Sequence, residues 1–519
     1  MKYYYHSYVV LDILHQSMNM KMKSSVVFVC LFTVLAPAFA SAATTFEVSG
    51  WLPYWRSATS TRDVLPHLNL MTEVNPFVYT LRSDGTFLDN GQMDQEPWVS
   101  FIAAAKAKKV RVIPTVMTGN GQLIHDLLSN STSRVALEDY IANFVKEHDF
   151  DGIDIDFEGK KAADKEYFAT FLKGLYARMG NKWVMCTIES RTPLDSRYYG
   201  TDIPPDAEIY ANDFVAIDKY CDRVRIMAYD QQGIDQALAA TAASSSTLYA
   251  PVADPAWVQK VINLVSKTIK KSKIMIGIPT YGYEYSVTAY AGNQYVYDIL
   301  WTFNPLYATQ IAQQYGVTPS RAAWGEMQLS HIKDSGTSSP PVSTFNYSAL
   351  AAAAAASQWA TQGNTHIDFR YLVWPDAQSI AQKIALAKAL GVRGVSIFKL
   401  DGGEDQGIWQ VLQGAAQTAS VVPSSSIPAS PVASAALSRV LSLGARGADV
   451  IMLQRILNSD PGTQIAVSGV GSPGRETEYF GPATQVAVRK FQVKYGIAKQ
   501  GSTGYGIVGP ATRAKLSSL

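Results

Sequence analysis

Eight short runs rich in β-branched and aromatic residues recur between residues 46 and 400, most of them separated by stretches with helical periodicity. They are Phe46–Trp51, Glu73–Leu81, Val110–Val116, Phe150–Phe157, Trp183–Ile188, Arg223–Ala228, Lys273–Pro279 and Gly394–Leu400. Helical patterns at Phe101–Lys109, Leu137–His148, Lys165–Met179 and Ala377–Leu390 fall between them. Strands alternating with helices pair in parallel, because each helix carries the chain back across the sheet. Eight such strands predict an α/β fold of the TIM (β/α)8 barrel type. One interval breaks the rhythm. More than a hundred residues separate the seventh and eighth runs, far beyond an ordinary βα loop. Tyr281–Phe303 is aromatic and strand-like and Ala349–Trp359 is helix-like, so residues 281–370 are predicted to form an α+β insertion that walls a groove.

At 519 residues the chain exceeds what one core can organise. Residues 1–42 read as a signal peptide. Lys21 and Lys23 precede the apolar stretch Val26–Ala36, and Ala38-Phe39-Ala40 and Ala40-Ser41-Ala42 fit the small-x-small cleavage rule. That stretch is shorter than the ~20 residues of a membrane span; a retained anchor is the alternative. Asp12 makes Met1–Asn19 an odd leader, and the expected translation start is Met20 or Met22. Residues 43–417 make up the barrel. Residues 418–436 lack charge and contain Pro423, Pro428 and Pro431, the composition of a linker. Residues 437–519 form a small helical domain. Export predicts a secreted or cell-envelope protein, free of the membrane after cleavage. Cys30 would leave with the signal, and Cys186 and Cys221 either pair or stay as buried thiols. A net charge of +2 gives no general attraction to nucleic acid, and the 7 scattered His show no metal-ligand spacing. Neither metal nor cofactor is expected.

The fourth run ends in Asp151-Gly152-Ile153-Asp154-Ile155-Asp156-Phe157-Glu158. Side chains alternate across a strand, so Ile153, Ile155 and Phe157 face the helix ring while Asp154, Asp156 and Glu158 face inward, about 6.6 Å apart. No Lys or Arg is interleaved. Close carboxylates cannot all ionise, which lifts at least one pKa toward the range a general acid needs. A solvated strand face or a buried ion-pair network is the bland alternative. The run resembles the Asp-Gly-x-Asp-x-Asp-x-Glu signature of the family 18 glycoside hydrolases, the chitinase-like family, and matches it at every position. The resemblance implies that Glu158 donates the proton to the glycosidic oxygen. It also implies that Asp156 holds the substrate's N-acetyl group and that Asp154 shares a proton with Asp156. In this family the substrate's own acetamide oxygen replaces the second catalytic carboxylate.

Met227-Ala228-Tyr229-Asp230 resembles the family's Met-x-Tyr-Asp motif, implying that Tyr229 bonds the acetamide oxygen and Asp230 contacts the sugar beside Met227. Gly277–Gly282, containing Tyr281, fits the seventh strand. Trp51, Tyr54 and Trp55 follow the first strand and are candidates for sugar subsites, with core packing as the equal alternative. Phe398 takes the place where many relatives have a Trp as the floor of the central subsite. Trp374-Pro375-Asp376 and Asp401–Asp405 resemble the bacterial cell-wall and spore-lytic branch. Glu189 and Arg191 fall near the site without a role. In the C-terminal unit, the Leu441–Val450 turn, Leu453-Gln454 and two Gly-Pro-Ala-Thr helix entries resemble the three-helix peptidoglycan-binding module. It carries ten Lys or Arg against four Asp or Glu, which suits an anionic wall polymer. The resemblance implies an exported retaining hydrolase of β-1,4-linked N-acetylglucosamine polymers, peptidoglycan or chitin-like glycans. The other reading is a non-catalytic chitinase-like lectin anchored to the wall.

Overall fold

A computed structural model of the chain describes residues 46–244, 247–331, 349–417 and 439–516, apart from residues 459, 461, 467–470, 473–475 and 503. The expected signal peptide and linker lie outside the described residues. The chain separates into two compact units, the second containing the described residues from Arg439 onward.

Eight parallel strands close on themselves in the first unit. In barrel order they are β1 (Glu47–Pro53), β2 (Glu73–Leu81), β5 (Thr115–Thr118), β6 (Gly152–Phe157), β7 (Trp183–Glu189), β8 (Arg223–Met227), β9 (Ile274–Pro279) and β15 (Gly394–Phe398). β15 pairs back onto β1. β3 (Phe87–Asp89) folds antiparallel onto the end of β2, and β4 (Arg111–Val112) pairs with its start. The third predicted strand, Val110–Val116, is thus two pieces. Pro114 sits in the break between β4 and β5, where its missing N–H leaves one ladder bond unmade.

The alternation on β6 packs as its sequence requires. Ile153, Ile155 and Phe157 are fully buried in the core between sheet and helices, and Phe157 stacks on Phe171 of the helix Lys165–Met179 with ring centroids 5.8 Å apart. At the opposite end of the barrel from the site, Glu47 at the start of β1 accepts from Arg111, Arg223 and Arg393 at 2.7–3.2 Å. Burial opposes its ionisation, but the three guanidiniums hold its carboxyl below the usual range. Cys186 of β7 and Cys221, just before β8, form a disulfide with Cα atoms 5.9 Å apart, which decides between the two thiol alternatives.

Between β9 and β15 the chain builds a second, antiparallel sheet. Its strands are β10 (Gly282–Tyr290), β11 (Gln294–Phe303), β12 (Ser320–Arg321), β13 (Met327–His331) and β14 (Ile367–Trp374), in the order β11-β10-β14-β13-β12. Helices Pro305–Tyr315 and Ala349–Gly363 complete it as an α+β insertion. Gly282 marks the departure from the barrel: a Cβ there would lie 2.4 Å from the Val373 carbonyl oxygen and 2.5 Å from the Trp374 Cβ. Only glycine lets these backbones approach so closely. Glu326, before β13, is fully buried and accepts from the Val252 and Ala253 amides and the Trp324 indole at 2.9 Å each, and from Lys383 at 3.3 Å. This ion pair staples the insertion to the helix Ala377–Leu390.

The second unit packs helices Ala448–Asn458, Pro482–Lys494 and Pro510–Leu516 around Leu453, Leu457, Phe480, Val488, Phe491 and Val508. Its interior polar bonds repeat. Gln454 donates to the Tyr479 carbonyl at 2.9 Å and to Thr484 at 3.0 Å; Gln492 donates to the Ile507 carbonyl at 2.8 Å and to Thr512 at 3.0 Å. Each Gly-Pro-Ala-Thr segment therefore starts a helix and closes a bond to the helix before it.

Candidate active site

β6 aims its carboxylates into a barrel whose interior is already polar. Asp154 is fully buried and accepts from Thr115 at 2.7 Å, Thr187 at 2.8 Å and the Trp51 indole at 3.1 Å. Arg225 of β8, also buried, approaches it at 2.7 Å and pairs on its other side with Glu73. No Lys or Arg is interleaved within the run itself, yet a cation reaches it. The guanidinium that compensates Asp154 comes from a strand two places around the barrel. A buried ion-pair network, the bland alternative, is what holds this one residue. Trp51 is corrected as well. It is 1% exposed, and its indole serves Asp154, so it offers no ring face to a sugar.

One turn of alternation further, Asp156 is buried with its Oδ1 unpartnered. Burial, and then the charges of Glu158 and Asp154, push its carboxyl well above the usual range. Asp156 thus has a raised proton affinity beside an Asp154 that is ion-paired with Arg225. Glu158, just past the end of β6, is half-buried, and its amide is fixed by the Thr118 carbonyl at 2.8 Å. Burial first, then the negative charge of Glu189, raise its carboxyl, and Lys160 opposes them. Glu158 lines an open cleft of about 320 Å³ with Tyr54, Trp55, Phe77, Asn90, Met117 and Phe398 among its walls. Tyr54 and Trp55 are exposed, with ring centroids 5.1 Å apart, and Trp55 meets Phe77 at 5.9 Å.

β8 delivers Met227, half-buried, then Tyr229 and Asp230. Tyr229 is buried and stacks on Phe398 at 5.5 Å, nearly parallel. Trp51, Phe77 and Tyr281 meet Phe398 edge-on at 5.6, 6.1 and 6.0 Å, so the last strand's Phe is gripped on several sides and still borders the cleft. Burial, followed by the charge of Asp156, pushes the Tyr229 hydroxyl well above its ordinary range, keeping it a proton donor. Asp230 has a φ of 59° and accepts from Tyr283 at 2.7 Å and from the buried Tyr281 hydroxyl. Tyr281 therefore orients Asp230, and the insertion strand β10 supplies the second hydroxyl. Glu158, Asp156, Tyr229, Asp230 and Phe398 all gather at the carboxyl ends of the barrel strands, where this fold builds its sites.

Arg225, Thr115, Thr187 and Lys160 were missed in the sequence. Arg225 had a signal: in Arg223-Val224-Arg225-Ile226 the period of two turns it to the face opposite the apolar residues. Thr115 and Thr187 had none beyond strand position, since their partner is set by register between strands. A second, open cavity of about 480 Å³ lies by Arg191, Tyr210 and Asn212.

The arrangement is that of a carboxyl-based sugar hydrolase on a TIM barrel. Residues 48–403 match the family model for glycosyl hydrolases family 18, and the chain belongs to that family. Residues 446–516 match the model of a peptidoglycan binding domain. The chain is 22% identical over 358 residues to the "Uncharacterized glycosylase YvbX" of Bacillus subtilis, covering 66% of this chain and 87% of that protein. Among solved structures, the Bacillus cereus spore cortex-lytic enzyme SleL superposes with a TM-score of 0.52 at 16% identity, covering 71% of this chain and 74% of that one. A chitinase from Chromobacterium violaceum gives 0.51 at 17% identity, covering 71% and 98%. The protein is thus a family 18 glycosidase with a C-terminal peptidoglycan-binding domain.

Proposed function

We propose that this protein is an exported, retaining hydrolase of β-1,4-linked N-acetylglucosamine polymers that works by substrate-assisted catalysis, with cell-wall peptidoglycan as the favoured polymer. The observation that carries the reading is the division of labour among the carboxyls. Asp154 is compensated by Arg225, Asp156 keeps a buried oxygen without a partner, and Glu158 borders the cleft with a raised proton affinity. A substrate acetamide N–H satisfies the Asp156 oxygen and the Tyr229 hydroxyl donates to the acetamide carbonyl, which turns that oxygen toward the anomeric carbon. Glu158 gives its proton to the glycosidic oxygen as the bond breaks, while the acetamide oxygen bonds to C1 from the opposite face. Glu158, now a carboxylate, takes a proton from water, and the water attacks C1 to restore the acetamide with retained configuration. Tethering the nucleophile within the substrate supplies the proximity advantage of an intramolecular reaction. The peptidoglycan-binding unit supports the wall as target, by raising the effective concentration of substrate. Export is supported by the N-terminal pattern and by the Cys186–Cys221 disulfide.

The deciding experiment compares the protein with Glu158→Gln on peptidoglycan and on chitin oligosaccharides, with products identified by mass. We expect a loss of about a hundredfold or more in the variant; equal activity would refute the assignment. Removal of residues 437–519 is expected to weaken wall binding and leave cleavage of short oligosaccharides intact.

A further inference from the structure

Glu189 ends β7 with a carboxylate that no step above uses, yet its bonds converge on the residue carrying the acid. Its Oε1 accepts the Gly159 amide at 3.1 Å. Its Oε2 accepts from Asn212 at 2.9 Å and pairs with Lys160 at 3.2 Å. The Lys160 side chain is 1% exposed, and its ammonium also donates to the Phe157 carbonyl. The two peptide groups that flank Glu158 are thereby both held. The one after it is fixed by Glu189 directly, and the one before it by Lys160, which Glu189 anchors. Tyr210 completes the frame, donating to the Glu189 backbone carbonyl at 2.9 Å and accepting from Asn212 at 3.0 Å. The loop has little freedom to do otherwise. Gly159 has a φ of 66°, and a Cβ there would lie 3.1 Å from the Gly119 carbonyl oxygen.

We propose that Glu189 is a positioning residue for the reaction at Glu158, clamping the acid's backbone on β6 and keeping a fixed negative charge beside it that Lys160 partly balances. The inference rests on the reading of Glu158 as proton donor. The charged groups facing Glu158 are Asp156 on its own strand, Glu189 on β7, Asp230 after β8 and Lys160 in the following turn. Among them Glu189 and Lys160 act with opposite signs. Glu189 itself keeps its carboxyl below the usual range: burial raises it, but Lys160 and Asn212 outweigh burial. It therefore presents a carboxylate in the pH range where Glu158 must hold its proton. A residue that only supported the loop would alter activity without moving the pH dependence in a sign-specific way.

The test measures kcat and KM against pH on a chitin oligosaccharide for the full chain, Glu189→Gln, Glu189→Ala and Lys160→Met. Glu189→Gln keeps an acceptor for the Gly159 amide and removes the charge, so the alkaline limb of kcat moves down by roughly half a pH unit or more, with KM within about twofold. Lys160→Met moves the same limb up. Glu189→Ala adds loss of the clamp and lowers kcat by about tenfold or more at the optimum. Alkaline limbs that stay in place, or that move the same way in Glu189→Gln and Lys160→Met, overturn the inference even if Glu158→Gln is inactive. Full activity of Glu158→Gln instead removes the reading of the acid on which the inference stands.

Discussion

Asp156, to which the proposed mechanism gives the substrate's acetamide, is held at the expense of the fold. It is buried, one oxygen has no partner, and its carboxyl is pushed well above the usual range by burial and by Glu158 and Asp154. A carboxyl whose folded pKa is raised stabilises the fold below its unfolded pKa, and that contribution is lost as pH rises through the folded value. Asp156→Asn removes the ionisable group at the same size. The variant is expected to lose activity and to unfold roughly 2–4 °C higher than the parent at pH 8 in calorimetry, with the gap closing near pH 4. A lower midpoint at pH 8 would show that the carboxylate is better satisfied than this geometry allows. Asp154 is the opposite case. Its four neighbouring donors are Thr115, Thr187, Trp51 and Arg225, and removing any one leaves a buried charge short of a partner.

Among the elements, the loops at the barrel's carboxyl face are tied by a carboxyl pair. Glu404, after β15, accepts the amides of Asp401, Gly402 and Gly403 at 2.9–3.1 Å through one oxygen. Its other oxygen and Asp63 Oδ2, on the helix Ser57–Val64 that follows β1, are both buried, and the Asp63 carboxyl bonds to Glu404 when Glu404 is protonated. Burial, reinforced by Asp63, raises the Glu404 carboxyl to about 8. The tie is therefore present at neutral pH and lost as pH rises through about 8. Thermal unfolding of the parent from pH 6 to pH 9.5 is expected to show a fall centred there, and Glu404→Gln, which keeps a donor toward Asp63, flattens it. A pH-independent midpoint in the parent would exclude a Glu404 carboxyl raised that far. The insertion obeys the same logic with an ion pair, Glu326–Lys383, buried where the second sheet meets a barrel helix.

At the scale of the molecule, two units with separate apolar cores predict two unfolding transitions. The Cys186–Cys221 bond closes a 35-residue loop wholly within the first. Cross-linking a loop of that length restrains the unfolded chain by about 4 kcal/mol. Reduction, or the double change Cys186→Ala and Cys221→Ala, is expected to lower the barrel's transition in calorimetry and leave that of the C-terminal unit in place. Movement of both transitions would show that the units do not unfold separately. The pattern along the chain determined by itself the eight strands, the faces of β6, the insertion and the helical C-terminal unit. Period-two alternation and helix-entry residues are local, and each strand's two faces are decided by its own side chains. The motif residues Glu158, Asp156, Tyr229 and Asp230 were picked out by the resemblance to the family's two short motifs, which lie at the ends of β6 and β8. What only the tertiary structure decided is who meets whom across the barrel. Arg225 compensates Asp154, Trp51 is an internal donor and not a sugar platform, the two cysteines pair, and Glu189 reaches the turn after Glu158. Each of these depends on register between strands and on closure of the sheet, which bring together groups 30 to 103 positions apart in the chain.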